Sequence, residues 1–277
     1  MDRVTIVCFL ASYAAALALE LLDQIRPLPM ARWLALTFGA AGLLAQTIFL
    51  AVQQPPLIWQ YGWMMFLAWI LAIFYLVGSV HHRRLSWGLF VLPLVLGLVG
   101  MGAAFGRPVP PLSPPGTGGD RGGASGNVLS IPTAWGIIHG WLLLLAAVGL
   151  CIGFLASLMY LVQAHRLRAK TLPGHGLRMW SLERIEAMNR RAIVLAFPLL
   201  TVGMLVGLVL MFQEHLSGWT DPRVLASVVL WLTFALLLYL RFGYRLRGRP
   251  VALLTILTFV LLVGCIALPH WGQGGGR

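Results

Sequence analysis

Residues 251–268 read VALLTILTFVLLVGCIAL, eighteen positions without a charged side chain. Residues 225–240, LASVVLWLTFALLLYL, are equally free of charge. An α-helix of roughly 20 residues crosses the hydrocarbon core of a bilayer, where backbone groups must be satisfied within the segment. Neither stretch alternates with the period of two that a barrel strand requires. Both stretches are therefore predicted to be membrane-spanning helices.

Six more apolar runs precede these two, so the sequence predicts an all-α integral membrane protein with eight transmembrane helices. The spans are expected at about residues 4–22, 33–52, 61–80, 85–104, 134–163, 192–212, 224–240 and 251–268. The composition agrees, because 59% apolar residues, 10% charged residues and a mean hydropathy of +0.86 are too apolar for a soluble domain. Small residues in the first span also fit a signal peptide, but Asp2 beside Arg3 makes a weak n-region and favours a retained helix.

Basic residues are distributed unevenly between the two sides of the predicted bundle. If the first helix starts outside, 15 of the 20 Lys and Arg residues fall in the inner connections. The positive-inside rule then places both termini on the outer, periplasmic side of a multi-pass protein in the bacterial inner (plasma) membrane. The net charge of +12 is explained by this orientation and by contact with anionic lipid, so the lipid bilayer is an expected partner and nucleic acid is not.

Residues 105–133 divide the chain, because Gly, Pro and Ser fill 16 of these 29 positions. This composition predicts a flexible outer loop between an N-terminal four-helix membrane half, 1–104, and a C-terminal four-helix half, 134–277. The long inner connection of the second half, residues 164–191, contains an apolar repeat at helical spacing over 182–188. That repeat predicts either a short amphipathic helix in the membrane interface, with arginines reaching lipid phosphates, or an extension of the sixth helix.

The polar chemistry available within the spans is mainly that of histidine. None of the eight acidic residues lies at mid-span, which counts against a proton-coupled transporter, and the three cysteines form no CxxC pair. His139 lies about five residues into the fifth span. On the same helical face follow the small residues Ala146, Gly149, Gly153 and Ser157. Such a stripe allows close helix contact in lipid, so His139 is expected to face the bundle.

A second histidine, His270, follows the eighth span at a comparable level. Two neutral imidazoles on different helices could ligate a haem iron from both sides, or each could be a hydrogen-bonded structural histidine. The spacing leaves both interpretations open. Trp219, near Asp221 in the loop between the sixth and seventh spans, fits either a platform for a flat ligand or an interface anchor.

Two long motifs indicate a family. WGIIH at 135–139 opens a helix that ends in MYLVQAHRL at 159–167, and SLERIEAMNRRA at 181–192 precedes FPLLTVG at 197–203. This order resembles the membrane domain of cytochrome c assembly proteins of the CcsA/CcmC/HemX type, from about residue 60 to residue 270.

The resemblance implies haem held at the outer face by two histidines that flank a tryptophan-rich WWD loop, and presented to apocytochrome c. Carried onto this sequence, it implies His139 and His270 as ligands of the haem iron, with Trp219 and Asp221 near the haem edge. The loop departs from the family pattern, since only Trp219, Asp221 and Pro222 remain of it, and residues 239–241, YLR, lack a further haem histidine that some members have. These departures place the chain nearest the HemX-like branch.

We therefore expect a membrane cytochrome c biogenesis factor that binds or passes haem at the outer face, rather than a stand-alone enzyme. Its expected partners are haem, other cytochrome c assembly membrane proteins and apocytochrome c. The alternative is a HemX-like scaffold or regulator of such a complex that does not bind haem. A transporter of neutral small molecules is a third class.

Overall fold

The computed structural model describes residues 2–25, 29–53, 62–81, 86–105, 131–169, 180–213, 222–244, 246 and 248–267. Within these ranges the chain forms eight α-helices and no strand, which confirms the all-α prediction. The helices are α1 Asp2–Ile25, α2 Pro29–Gln53, α3 Gly62–His81, α4 Gly88–Phe105, α5 Ile131–Arg168, α6 Leu182–Gln213, α7 Pro222–Phe242 and α8 Arg249–Ala267.

Six helices of the described ranges are long and apolar enough to cross a membrane. Their apolar segments are Ile6–Ile25, Met30–Val52, Gly62–His81, Ala134–Arg168, Leu182–Phe212 and Val224–Phe242. The apolar segments of α4 and α8, Gly88–Ala104 and Arg249–Gly264, are shorter. A multi-pass membrane protein is thus supported, while spanning by α4 and α8 and the outer position of both termini stay predictions.

Residues 182–191 belong to α6 and do not form a separate helix. The prediction of a short interfacial amphipathic helix is wrong here, and the alternative, an extension of the sixth helix, is right. The reason lies in packing: Ile185, Asn189 and Ile193 recur every four residues and are all buried, so one buried face continues from the extension into the span. The residues that join the two parts, Arg191 and Ala192, are good helix formers.

The predicted stripe of small residues lies where α5 approaches α6. A Cβ added to Gly149 would lie 2.8 Å from the Cβ of Ala196 and 3.2 Å from the carbonyl oxygen of Ala192. Gly153 is less constrained, since an added Cβ would lie 3.4 Å from the side chain of Thr255 on α8 and 3.6 Å from that of Ile193. Glycine at position 149 lets the backbones of α5 and α6 pack closely, and these two helices form the most extensive helix pair of the described fold.

The remaining helices form two groups: α7 and α8 pack against the α5–α6 pair, and α1 to α4 pack against one another. α1 packs on α2 and α4, and α3 packs on α2 and α4; α8 packs on α5 and α7, and α7 also contacts α6. α5 contacts both α3 and α4. We call the bundle end at which α5 begins and α6 ends the His139 end, and the opposite end, where α5 and α7 end and α6 and α8 begin, the arginine end.

Candidate functional site

His139 lies near the beginning of α5 and is half-buried against α6. Its Nδ1 atom is 2.7 Å from the backbone oxygen of Gly203. A carbonyl oxygen can only accept a hydrogen bond, so Nδ1 carries the hydrogen and, in the neutral ring, Nε2 carries the lone pair. Metal-binding histidines commonly donate their other ring N–H to a backbone carbonyl or a carboxylate in this way. The contact therefore orients the ring and leaves Nε2 as the nitrogen that could bind a ligand.

Two glycines of α6, Gly203 and Gly207, form the surface against which the imidazole lies, which we call the seat. A Cβ added to Gly207 would lie 2.6 Å from Cε1 of His139 and 3.1 Å from its Nδ1. Gly203, one turn earlier on the same face, supplies the accepting carbonyl and lies against the side chain of Leu143. A side chain at position 207 would occupy the space of the ring. The sequence interpretation did not include this seat, although the spacing Gly203-x-x-x-Gly207 is a known signal for close helix approach.

The first turns of α5 around His139 carry exposed aromatic side chains. Trp135, one turn before it on α5, is 41% exposed, and Trp141 is 43% exposed and contacts the ring of Phe66 on α3 edge-on. Ligand sites commonly combine apolar and aromatic side chains with a few placed polar groups. His139 is the ionisable side chain within residues 135–142 of α5.

The other predicted site residues, His270, Trp219 and Asp221, lie outside the described residues. The structure therefore leaves their distance from His139 and their roles as predictions. Histidine is a common protein ligand of haem iron. An imidazole whose Nδ1–H is bound to a backbone carbonyl has the donor chemistry of such a ligand, so His139 would fit a role in holding the iron through Nε2.

A second polar cluster lies at the arginine end and was missed at the level of the sequence. Arg241 of α7 is buried, and its Nη1 donates to Oδ1 of Asn189 at 2.6 Å while its Nη2 donates to the backbone oxygen of Glu186 at 3.2 Å. The Asn189 amide nitrogen donates to the backbone oxygen of Gly153 and to the hydroxyl of Ser157, both at 2.9 Å. The cluster thereby ties α5, α6 and α7 together.

One feature of the sequence could have predicted this cluster. Asn189 occupies the same helix face as the buried Ile185 and Ile193. Their spacing therefore predicts that the polar side chain of Asn189 is buried. Buried polar groups need partners, and Arg241 at the end of an apolar run was available. The sequence interpretation instead counted Arg241 among the residues that set orientation.

The described residues form an all-helical bundle with six membrane-length apolar helices and a histidine oriented by a backbone carbonyl. These features define the class, a multi-pass helical membrane protein with a candidate ligand site. Residues 57–271 match the family described as Cytochrome C assembly protein. The chain therefore belongs to this family, and the resemblance inferred from its motifs is confirmed.

The names of individual relatives are consistent with this family. The chain is 24% identical over 269 residues to the cytochrome c biogenesis protein CcsA of Mesostigma viride, an alignment that covers 86% of this chain and 84% of that protein. It is 26% identical over 142 residues to Protein HemX of Bacillus subtilis (strain 168), covering 49% and 51% of the two chains. It is 26% identical over 160 residues to the CcsA of Synechococcus sp. (strain CC9902), covering 50% of this chain and 53% of the relative. The chain thus spans about half the length of the last two, and no solved structure matches it.

Proposed function

We propose that this protein is a membrane cytochrome c biogenesis factor that binds or passes haem at the outer face of the bacterial inner membrane. The observation that carries the proposal is the 2.7 Å contact between Nδ1 of His139 and the backbone oxygen of Gly203. It orients the ring so that Nδ1 faces the carbonyl and Nε2 is the nitrogen left to ligate a metal. Family membership and relatives named as cytochrome c biogenesis proteins support the same role.

In the proposed site, His139 and His270 would ligate the haem iron, and Trp219 and Asp221 would lie near the haem edge. Within it, the Gly203 carbonyl orients the imidazole and Gly207 provides the space for the ring. The bound haem would supply the iron centre and the porphyrin that is to be joined to apocytochrome c. The remaining steps are assigned to partners, namely other cytochrome c assembly membrane proteins and apocytochrome c itself.

The proposed sidedness rests on charge. The helix ends at the arginine end carry Arg166, Arg168, Arg184, Arg190, Arg191, Arg241 and Arg249. His139 lies near the opposite end of α5. Because basic residues are retained on the cytoplasmic side, this distribution supports an outer position for the His139 end.

An optical titration tests the function. The full chain is purified in detergent, haem is added and the Soret band is recorded for the wild type, for His139→Ala, and for the control His165→Ala, whose side chain is exposed at the arginine end. We expect the bis-histidine spectrum to be lost in His139→Ala and kept in His165→Ala. A Soret band that persists unchanged in the His139→Ala/His270→Ala double variant would overturn the ligand assignment.

The second candidate is a HemX-like scaffold or regulator of a haem-related or cytochrome assembly complex that does not bind haem. The observations that favour it are the similarity to Protein HemX and the reduction of the tryptophan-rich loop to Trp219, Asp221 and Pro222. This candidate predicts that no haem copurifies. It also predicts that cytochrome c maturation in cells survives loss of both histidines but fails when residues 164–191 are altered.

A further inference from the structure

A groove of about 550 Å³ lies between α5 and the first half of α6, away from His139. Its α5 wall consists of Val148, Gly149 and Ile152. Its α6 wall follows one helical stripe, Arg184, Ala187, Met188, Arg191, Ala192 and Leu195, and Trp180 closes the end that precedes the helix. The groove is therefore apolar along its floor and carries two cations on one wall.

The two arginines are placed to act on one ligand. Arg184 and Arg191 are seven residues apart, about 10.5 Å or two turns along the same helix face, and both are exposed. Long helical side chains lean toward the N-terminus of their own helix, so Arg191 leans toward the end that holds Arg184 and Trp180. A guanidinium group binds phosphate oxygens with paired hydrogen bonds.

The apolar end of the groove continues into an exposed apolar face. Leu195, which lines the groove, is 65% exposed, and Val194, Val202 and Leu205 of the same helix are 45% to 57% exposed. In a helix of membrane-spanning length and composition, such residues face lipid. A ligand in the groove would thus have its charged part beside the arginines and an apolar part continuous with the acyl chains of the bilayer.

At the polar end of the groove, Trp180 contacts Trp87, which lies in the connection between α3 and α4. Its ring lies 5.1 Å from the ring of Trp87, between α3 and α4, at an interplanar angle of 55°. Tryptophan is typical of the headgroup level of membranes. This contact gives the groove a fixed aromatic wall at the level where a headgroup would lie.

We propose that this groove is a binding site for an anionic phospholipid, with its phosphate between Arg184 and Arg191 and an acyl chain along Ile152 and Leu195. The charge of the wall, the apolar floor and the continuity with the lipid-facing surface all select a charged amphiphile. Bound there, the lipid bridges α5 and α6 beside the Trp180–Trp87 contact. This site is independent of His139 and of the proposed haem role.

Native mass spectrometry of the full-length protein in detergent, titrated with phosphatidylglycerol, tests the site. The variant is Arg184→Gln/Arg191→Gln, and the matched control is Arg190→Gln, an exposed arginine of the same segment that does not line the groove. Each arginine that contacts the lipid phosphate is worth about 1 kcal/mol, so the double variant should bind about 30-fold more weakly. The control removes an arginine outside the groove and should bind within about twofold of the wild type. Zwitterionic phosphatidylcholine should bind the wild type more weakly than phosphatidylglycerol does.

Three results would overturn the proposal. One is equal phosphatidylglycerol binding by the wild type and the double variant, and another is an equal loss in the Arg190→Gln control. The third is displacement of the lipid by a competitor that belongs to another class. Glycerol 1-phosphate, which lacks acyl chains, would identify a simple phosphate site, and stoichiometric haem would identify a porphyrin site.

Discussion

Arg241 of α7 and Asn189 of α6 are joined across the bundle by a hydrogen bond of 2.6 Å between buried side chains. Fifty-two residues separate them in the chain. Asn189 also donates to the backbone oxygen of Gly153, so the same amide links α7 through α6 to α5. A charged side chain in this position is tolerated because its donors meet oxygen acceptors at close range.

Replacing Asn189 with Leu should destabilise the fold. The change removes one acceptor of the buried Arg241 guanidinium and the donor to Ser157 and the Gly153 carbonyl. We expect a loss of about 1–3 kcal/mol in the free energy of unfolding, measured by denaturant titration in detergent. Arg249→Met, which removes an exposed cation at the beginning of α8, should cost less than about 0.5 kcal/mol. Equal effects of the two changes would show that the cluster contributes no specific stability.

Replacing Gly207 with Ala should weaken haem binding. The added methyl would lie 2.6 Å from Cε1 of His139, so the ring must leave its seat and lose the Gly203 contact. Misplaced ligands bind metal about 10- to 100-fold more weakly, and a haem titration followed at the Soret band should show a loss of that order.

The matched control for this change is Gly140→Ala on α5, next to His139, where an added Cβ meets nothing within 4 Å. It should leave haem affinity unchanged and stabilise the helix by up to about 1 kcal/mol. If Gly207→Ala bound haem as tightly as Gly140→Ala, the seat on α6 would have no part in haem binding.

Replacing Gly149 with Ala should disturb the contact between α5 and α6. The new methyl would meet the Cβ of Ala196 at 2.8 Å and the Ala192 carbonyl at 3.2 Å, and neither can move without shifting the helix backbone. Overpacking of this kind costs about 1–3 kcal/mol. Thermal unfolding should therefore occur at a lower temperature than for Gly100→Ala, where an added Cβ meets nothing within 4 Å. A Gly149→Ala protein as stable as Gly100→Ala would mean that the two helices pack less closely than described.

Sequence reasoning recovered what depends on local pattern. The apolar run at 61–80 became Gly62–His81, because the length of an apolar run and the charges around it determine where a membrane helix ends. The fifth span was longer than the predicted 134–163, reaching Ile131–Arg168, since a helix can continue beyond the apolar region when no residue breaks it. The small-residue stripe likewise predicted a close helix contact of α5, and in the structure the helix that approaches Gly149 is α6.

The hydropathy pattern could not predict which residues of neighbouring helices contact each other. That His139 meets Gly203 and Gly207, and that Arg241 meets Asn189, depends on the relative height of separate helices. Small shifts along a helix axis change those partners while hydropathy stays the same. Hydropathy, being a sum over windows, carries no information on such shifts.

Replacing Tyr13 with Phe should weaken the attachment of α1 to α2. The Tyr13 hydroxyl donates to Oε1 of Gln46 at 2.7 Å, and the amide of Gln46 donates in turn to the backbone oxygen of Met65, with both side chains fully buried. Without the hydroxyl, Oε1 of Gln46 loses this hydrogen bond inside the bundle, at a cost of about 1–2 kcal/mol. The same change at Tyr244, which is 65% exposed, should cost less than about 0.5 kcal/mol. The midpoint of unfolding, measured in detergent for both variants, tests this prediction. An equal shift for Tyr13→Phe and Tyr244→Phe would show that the α1–α2 contact does not depend on this hydrogen bond.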